Sequence, residues 1–316
     1  MKNNDILNYL ISKVRECQLD VNSILITEDN KTVWHDFKLD VPVSIRSISK
    51  VISCLGIAKA IDFGVFDLET PVMQFFDHVK ITNKSNLPAL QRLKLKHLLT
   101  LTMGHDVGLM FSKDMRQLPE DTDWVSYVLN YDMPYMPGEH FVYNNADTYL
   151  ISAIIQKQTK MNLSQWVQEY IFKELGISNY IWDNSAQGIC LGASGLNMIN
   201  QDLHKIAILM LKNGMTESGK QLVDASWIKA MTTPQVKTAD LTEYKEKQSR
   251  SLNKMAYGYH IWICGDGSKE YPKDFYFCDG TDGQFLIVLP KKNIAITVLS
   301  MQKNMNPFYP IFDILI

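Results

Sequence analysis

Ser47 is followed three residues later by Lys50, a spacing that on a helix sets a hydroxyl and an amine on one face, about one turn apart. An amine so placed can take the hydroxyl proton and make the serine a nucleophile for acyl transfer. The pattern alone is weak, because Ser-x-x-Lys recurs at Ser226, Ser251 and Ser300. Context singles out Ser47. Two β-prone segments, Ile24 to Thr27 and Thr32 to Trp34, joined by the turn-forming Asp29-Asn30, precede it, and the apolar run Val51 to Ile61 follows. Downstream stand the chain's only Tyr-x-Asn, Tyr143-Asn144-Asn145, and the segment Cys278-Asp279-Gly280-Thr281.

The elements that must hold these residues can be read from periodicity. From Ser47 to Gly64 the chain is apolar nearly all round, which predicts a helix buried on most sides. Its start carries free N–H groups and the positive end of the helix dipole, which favour negative charge at Ser47 and disfavour an ammonium at Lys50. From about Pro71 to Arg250 helical spacing dominates, with helices predicted over His97 to Thr102, Thr148 to Gln158, Leu163 to Leu175 and Leu203 to Asn213. From Met255 the period becomes that of strands: Tyr257 to Cys264, Phe275 to Cys278, Gln284 to Leu289 and Ile294 to Ser300, with Pro290 to Asn293 as a turn. A helix over Pro307 to Ile316 closes the chain, and the charged stretch Lys237 to Lys254 is expected to be a loop. The expected fold class is α+β: an antiparallel sheet built from both termini (1–70 and 251–316), flanked by helices, with a mostly helical domain (71–250) inserted and the site between them.

With 316 residues and 46% hydrophobic content, a substantial core can form. Lys plus Arg is 32 against 34 for Asp plus Glu, a net charge of -2, so nothing in the balance calls for nucleic acid or an anionic membrane as partner. No stretch reaches the roughly 18 apolar residues of a transmembrane helix, and the N-terminus lacks the features of a signal peptide. Five widely spaced cysteines without Cys-x-x-Cys suggest neither a disulfide framework nor a zinc site; a reducing cytoplasm fits best. The seven histidines contain no His-Glu-x-x-His.

Taken in order, Ser44-Ile-Arg-Ser-Ile-Ser-Lys50, Ala60 to Asp67, Leu95 to Thr102, Pro137-Gly138 through Asn145, Gly192 to Leu196 and Gly280-Thr-Asp-Gly-Gln284 resemble the landmarks of the penicillin-recognising serine hydrolases, the class C beta-lactamase and esterase superfamily. The resemblance covers most of the chain. It implies that Ser47 is the acylated nucleophile, where the plain alternative is an N-cap serine. It implies that Lys50 is the base or proton relay, where the alternative is a lysine reaching solvent. Tyr143 would share the proton traffic, and which of Lys50 and Tyr143 deprotonates the serine stays open. Asn145 would hold the lysine and the substrate acyl group, and the N–H groups of Ser47 and Thr281 would bind the oxyanion. Gly280 would let a strand pass close to substrate. The implied substrate is a small ester or amide, and no metal or organic cofactor is called for.

One motif departs from the family. Where relatives carry Lys-Thr-Gly or His-Thr-Gly, this chain has Cys278-Asp279-Gly280, losing a cation and gaining a carboxylate. The expectation is an esterase or amidase that disfavours carboxylate-bearing substrates and acts on uncharged or cationic ones, with weak beta-lactam turnover at best. A beta-lactamase or D,D-peptidase would need a cation from elsewhere, and a ligand-binding sensor is the reading from another functional class. Cys278 is expected to be a buried apolar cysteine. Trp124, Tyr135, Met136 and the loop Met103 to Phe111 are candidates either for an acyl pocket or for core.

Overall fold

The computed structural model of the protein describes residues 2–238, 241, 252–265 and 275–315. Most of the expected charged loop, residues 239–240 and 242–251, lies outside the described residues, as do Ser251 and Ile316. Helix α1 (Asn3–Glu16) leads into the hairpin β1 (Val21–Glu28) and β2 (Lys31–Asp36). The short β3 (Val43–Ser44) and a single 3-10 turn (Arg46–Ile48) precede α2 (Ser49–Asp62). In the middle of the chain come α3 (Ala146–Thr159), β4 (Ile181–Trp182), β5 (Leu196–Met198) and α4 (Asn200–Leu211), with shorter helical segments between them. Then follow β6 (Val236–Lys237), β7 (Ala256–Tyr257), β8 (Trp262–Ile263), β9 (Tyr276–Gly280), β10 (Gln284–Leu289) and β11 (Ile294–Ser300), and a last helical segment from Phe308 to Leu315.

Eight strands form one antiparallel sheet in the order β2-β1-β11-β10-β9-β8-β7-β6. Strands from the two ends of the chain pair one strand in from the β2 edge, where Ile26 pairs with Ile296. Strand alternation sorts the side chains onto two faces. Phe277, Phe285, Ile287, Ile296 and Val298 pack under α1, through Ile6, Leu7, Leu10 and Val14, and under the closing segment, through Phe308 and Phe312. Tyr276, Cys278, Leu286, Val288, Ala295 and Leu299 face the opposite way, into the core of α2, α3 and α4. Each aliphatic side chain so buried contributes on the order of 1.5–3 kcal/mol. His204 of α4 lies buried against the sheet with its ring nitrogens 2.8 Å from the Thr27 hydroxyl and 2.9 Å from the Thr297 hydroxyl, and burial pushes its pKa down to about 4.

The mixed α/β architecture with a large antiparallel sheet flanked by helices is as expected, with local differences. The predicted strand Tyr257 to Cys264 is two short strands, because the chain turns at 258–261. The stretch 71–250 is not wholly helical: β4 and β5 form a small sheet with β3, and β6 adds the outermost strand of the large one. Ser47 sits in the 3-10 turn rather than in the α-helix itself, which begins at Ser49. The helix is buried as its composition predicts: every residue from Ser49 to Ala58 is inside. Among the described residues no helix is long and apolar enough to cross a membrane.

Candidate active site

The turn that carries Ser47 is anchored on both sides. Ile45 donates its N–H to the Leu196 carbonyl of β5 at 2.9 Å, and the Arg46 guanidinium grips the Asp282 carboxylate, beyond the end of β9, through Nε (2.9 Å) and Nη2 (2.6 Å). Arg46 itself has φ 54°, in the left-handed region where non-glycine residues are strained. Strand β9 passes so close to this turn that a Cβ on Gly280 would come within 2.7 Å of both the Arg46 Cβ and the Ile45 carbonyl oxygen. Only glycine lets the end of β9 approach Ser47. Ser47, Gly280 and Thr281 consequently line one cleft of about 250 Å³, together with Tyr143, Trp262 and Tyr309.

Lys50, in the first turn of α2, is 1% exposed. Its Nζ lies 2.6 Å from Oδ1 of Asn145, to which it donates, and 3.5 Å from the Ala193 carbonyl in the segment before β5. Asn145 is fixed for this task, because its own amide donates to the Met110 carbonyl at 3.0 Å and its backbone N–H to the Leu109 carbonyl at 2.9 Å. Burial pushes the Lys50 pKa down to about 7, against the opposing pull of Cys278, Asp147 and Asp279. A neutral amine is therefore accessible near neutral pH. Asp147, fully buried in the first turn of α3, has its carboxyl held well above the usual range by burial, and His260 is pushed down to about 3 by burial and by Lys50. Both shifts favour uncharged groups around the lysine.

Tyr143 closes the arrangement. The Lys50 Nζ stands 4.7 Å from the centroid of its ring, which stacks on Trp262 at 5.6 Å and 17°. On the Trp262 ring lies a second cation, the Lys254 ammonium, 4.5 Å from the centroid and 2.8 Å from Oδ2 of Asp279. The same oxygen accepts a hydrogen bond from the Tyr309 hydroxyl at 2.6 Å. Burial would raise the Asp279 pKa, but Lys254 and the Tyr309 hydrogen bond leave it below the usual carboxylate value.

The structure thus brings Ser47, Lys50, Tyr143, Asn145, Gly280 and Thr281 together. Lys254, Trp262 and Tyr309 join them without a sequence signal: the first falls in the charged stretch, the second in an expected strand and the third in the expected closing helix, and no local pattern links them to position 279. Alternation along β9 sends Cys278 into the helical core, where its thiol reaches the His260 carbonyl at 3.7 Å and burial raises its pKa, so it is the buried cysteine expected. The Asp279 carboxylate, which stands where the family has a hydroxyl, does face the cleft, but already paired. None of the acyl-pocket candidates lines this cleft: Trp124 packs on Tyr149 at 5.5 Å, Tyr135 stacks on His140 at 4.2 Å, and Met103, Leu109 and Met110 are core residues of a loop that meets the site through the carbonyls holding Asn145.

A family model described as Beta-lactamase matches residues 13–311. The chain belongs to the Beta-lactamase family. Family members are hydrolases, including esterases and amidases. Solved structures share the fold at low identity. An octameric penicillin-binding protein homologue from Pyrococcus abyssi is 20% identical with a TM-score of 0.72, over 99% of this chain and 77% of that one. A penicillin binding protein from Bacillus halodurans is 14% identical with a TM-score of 0.72, over 97% and 98%. EstCE1, a hydrolase with promiscuous acyltransferase activity, is 14% identical with a TM-score of 0.73, over 98% and 96%.

Proposed function

We propose that this member of the family, of the class C type, is a serine hydrolase that cleaves an ester or amide through an acyl-enzyme. The observation that carries the reading is the Lys50 amine, buried beside Tyr143 and held at 2.6 Å by Asn145 in the turn of helix that follows Ser47. In the first step the Ser47 oxygen bonds to the acyl carbon while its proton passes to the Lys50–Tyr143 pair. The developing oxyanion is held by the N–H groups of Ser47 and Thr281, a contribution of about 3–4 kcal/mol per donor in comparable sites. The leaving alcohol or amine takes the proton, the C–O or C–N bond breaks, and water then hydrolyses the acyl-enzyme by the same route. On this reading the cleft lies between the sheet and the inserted helical stretch.

The test is a fluorophosphonate probe and short-chain p-nitrophenyl esters on wild type and Ser47→Ala. Labelling of wild type by one phosphonyl group and ester turnover, both lost in the variant, are expected. A wild-type protein that neither labels nor turns over any ester sinks the reading and leaves a non-hydrolytic ligand binder.

A further inference from the structure

Two charges that no motif of the chain brings together lie side by side on the wall of the cleft. The Lys254 ammonium and the Asp279 carboxylate, 14% and 9% exposed, are 2.8 Å apart and share the wall with Tyr309, Asn306 and Met305. We propose that Lys254 and Asp279 are the specificity-determining pair of this site, a charge-cancelling contact that selects esters or amides uncharged where they flank the scissile carbonyl. The proposal rests on the serine-hydrolase reading and deepens it by naming the substrate class.

The argument is one of opposed costs. An anionic substrate group drawn to Lys254 must approach Asp279 as well, and a cationic group drawn to Asp279 must approach Lys254. In a partly desolvated cleft like-charge juxtaposition is costly, and breaking the pair leaves one of two shielded charges uncompensated. An uncharged group disturbs neither. It meets the Tyr309 ring, the Asn306 amide and the Met305 side chain, which suit a polar but neutral flank. Each member of the pair also has a second support that does not need the other: Lys254 lies over the Trp262 ring at 4.5 Å, and Asp279 accepts the Tyr309 hydroxyl at 2.6 Å. Removing one charge should therefore leave the other in place and give the cleft the sign of the survivor.

The experiment compares wild type, Asp279→Asn and Lys254→Met on two matched series. In one, charge is on the acyl side: p-nitrophenyl butyrate, p-nitrophenyl hemisuccinate and p-nitrophenyl 4-(trimethylammonio)butyrate. In the other it is on the leaving group: S-acetyl esters of 3,3-dimethylbutanethiol, 3-mercaptopropionate and thiocholine. Wild type is expected to favour the neutral member of at least one series over both charged ones by about tenfold in kcat/KM. In that series Asp279→Asn should raise the anionic-to-neutral ratio by about tenfold, and Lys254→Met the cationic-to-neutral ratio by a similar factor. Fluorophosphonate labelling of Ser47 by intact mass shows whether each variant keeps its nucleophile competent. Labelled variants with unchanged charge preference in both series overturn the proposal while leaving the serine-hydrolase reading standing. A wild type that prefers a charged member of both series overturns it without any variant, so the test survives a variant that fails to fold. Absence of wild-type labelling and turnover overturns both.

Discussion

Two lysines lie on the two stacked rings of one aromatic pair, and their surroundings differ in the feature that matters most. Lys50 lies over Tyr143 with an amide oxygen as its nearest acceptor; Lys254 lies over Trp262 against a carboxylate. A buried amine beside a neutral dipole cannot recover the solvation of its charge, so its pKa falls to about 7 and it can accept a proton. An ammonium beside a carboxylate is matched in place. On the proposed reading the same residue type serves proton transfer on one ring and recognition on the next, and the neighbour a few ångströms away makes the difference.

The comparison breaks most visibly at Lys50. Lys50→Met should lower kcat/KM by about a thousandfold, the middle of the range for loss of general acid–base help. The same variant should melt at a higher temperature than wild type, with a difference that depends on pH. Below about 7 the folded wild type holds a buried ammonium; between about 7 and the ordinary lysine value of 10.5 the unfolded chain binds a proton the folded chain has released, so wild-type stability rises with pH. The advantage of Met should thus be greatest below pH 7 and shrink towards pH 10. Thermal melts of both proteins across that range check it, and a constant difference would refute the buried-amine account.

Asn145→Ala removes the amide oxygen that stands 2.6 Å from Lys50 Nζ and should cost about 10- to 100-fold in kcat/KM, the range for a hydrogen bond to a charged group. In wild type, kcat/KM on a neutral ester should fall about tenfold per pH unit below an apparent pKa near 7, as Lys50 takes up its proton. A profile flat down to pH 5 would mean that Lys50 is not the titrating base. The smallest effect sharpens the contrast between the two rings: Trp262→Leu takes away the surface under Lys254 and should change neutral-ester turnover only about threefold. The acid limb near pH 7 should stay where it is in that variant, because burial lowers the Lys50 pKa against Cys278, Asp147 and Asp279, none of which is changed; a shift of a full unit would show that the two lysines are coupled.

Some of this was legible without coordinates because it depends on neighbours in the chain. A serine and lysine three residues apart meet wherever a helical turn forms, and the all-round apolar composition of Val51 to Ile61 predicts the buried helix that desolvates Lys50. The alternation in β10 and β11 likewise puts Phe285 and Ile296 on one face and Leu286 and Ala295 on the other. The boundary at Ser49 and the split of 256–263 into two strands were not legible, because a 3-10 turn and a tight reversal leave the hydrophobic period unchanged.

The sequence by itself determined that position 279 carries a carboxylate in place of a family hydroxyl, that no cation precedes it, and that Ser47, Lys50, Tyr143 and Asn145 are present in order. Whether that carboxylate confronts substrate as a bare charge was decided only by the tertiary structure. Lys254 and Tyr309 reach Asp279 from 25 and 30 residues away along the chain, across strand pairings whose register is set by the packing of both sheet faces. Electrostatics acts through space, and a charge is cancelled by whichever partner the fold delivers within about 3 Å, wherever it stands in the sequence.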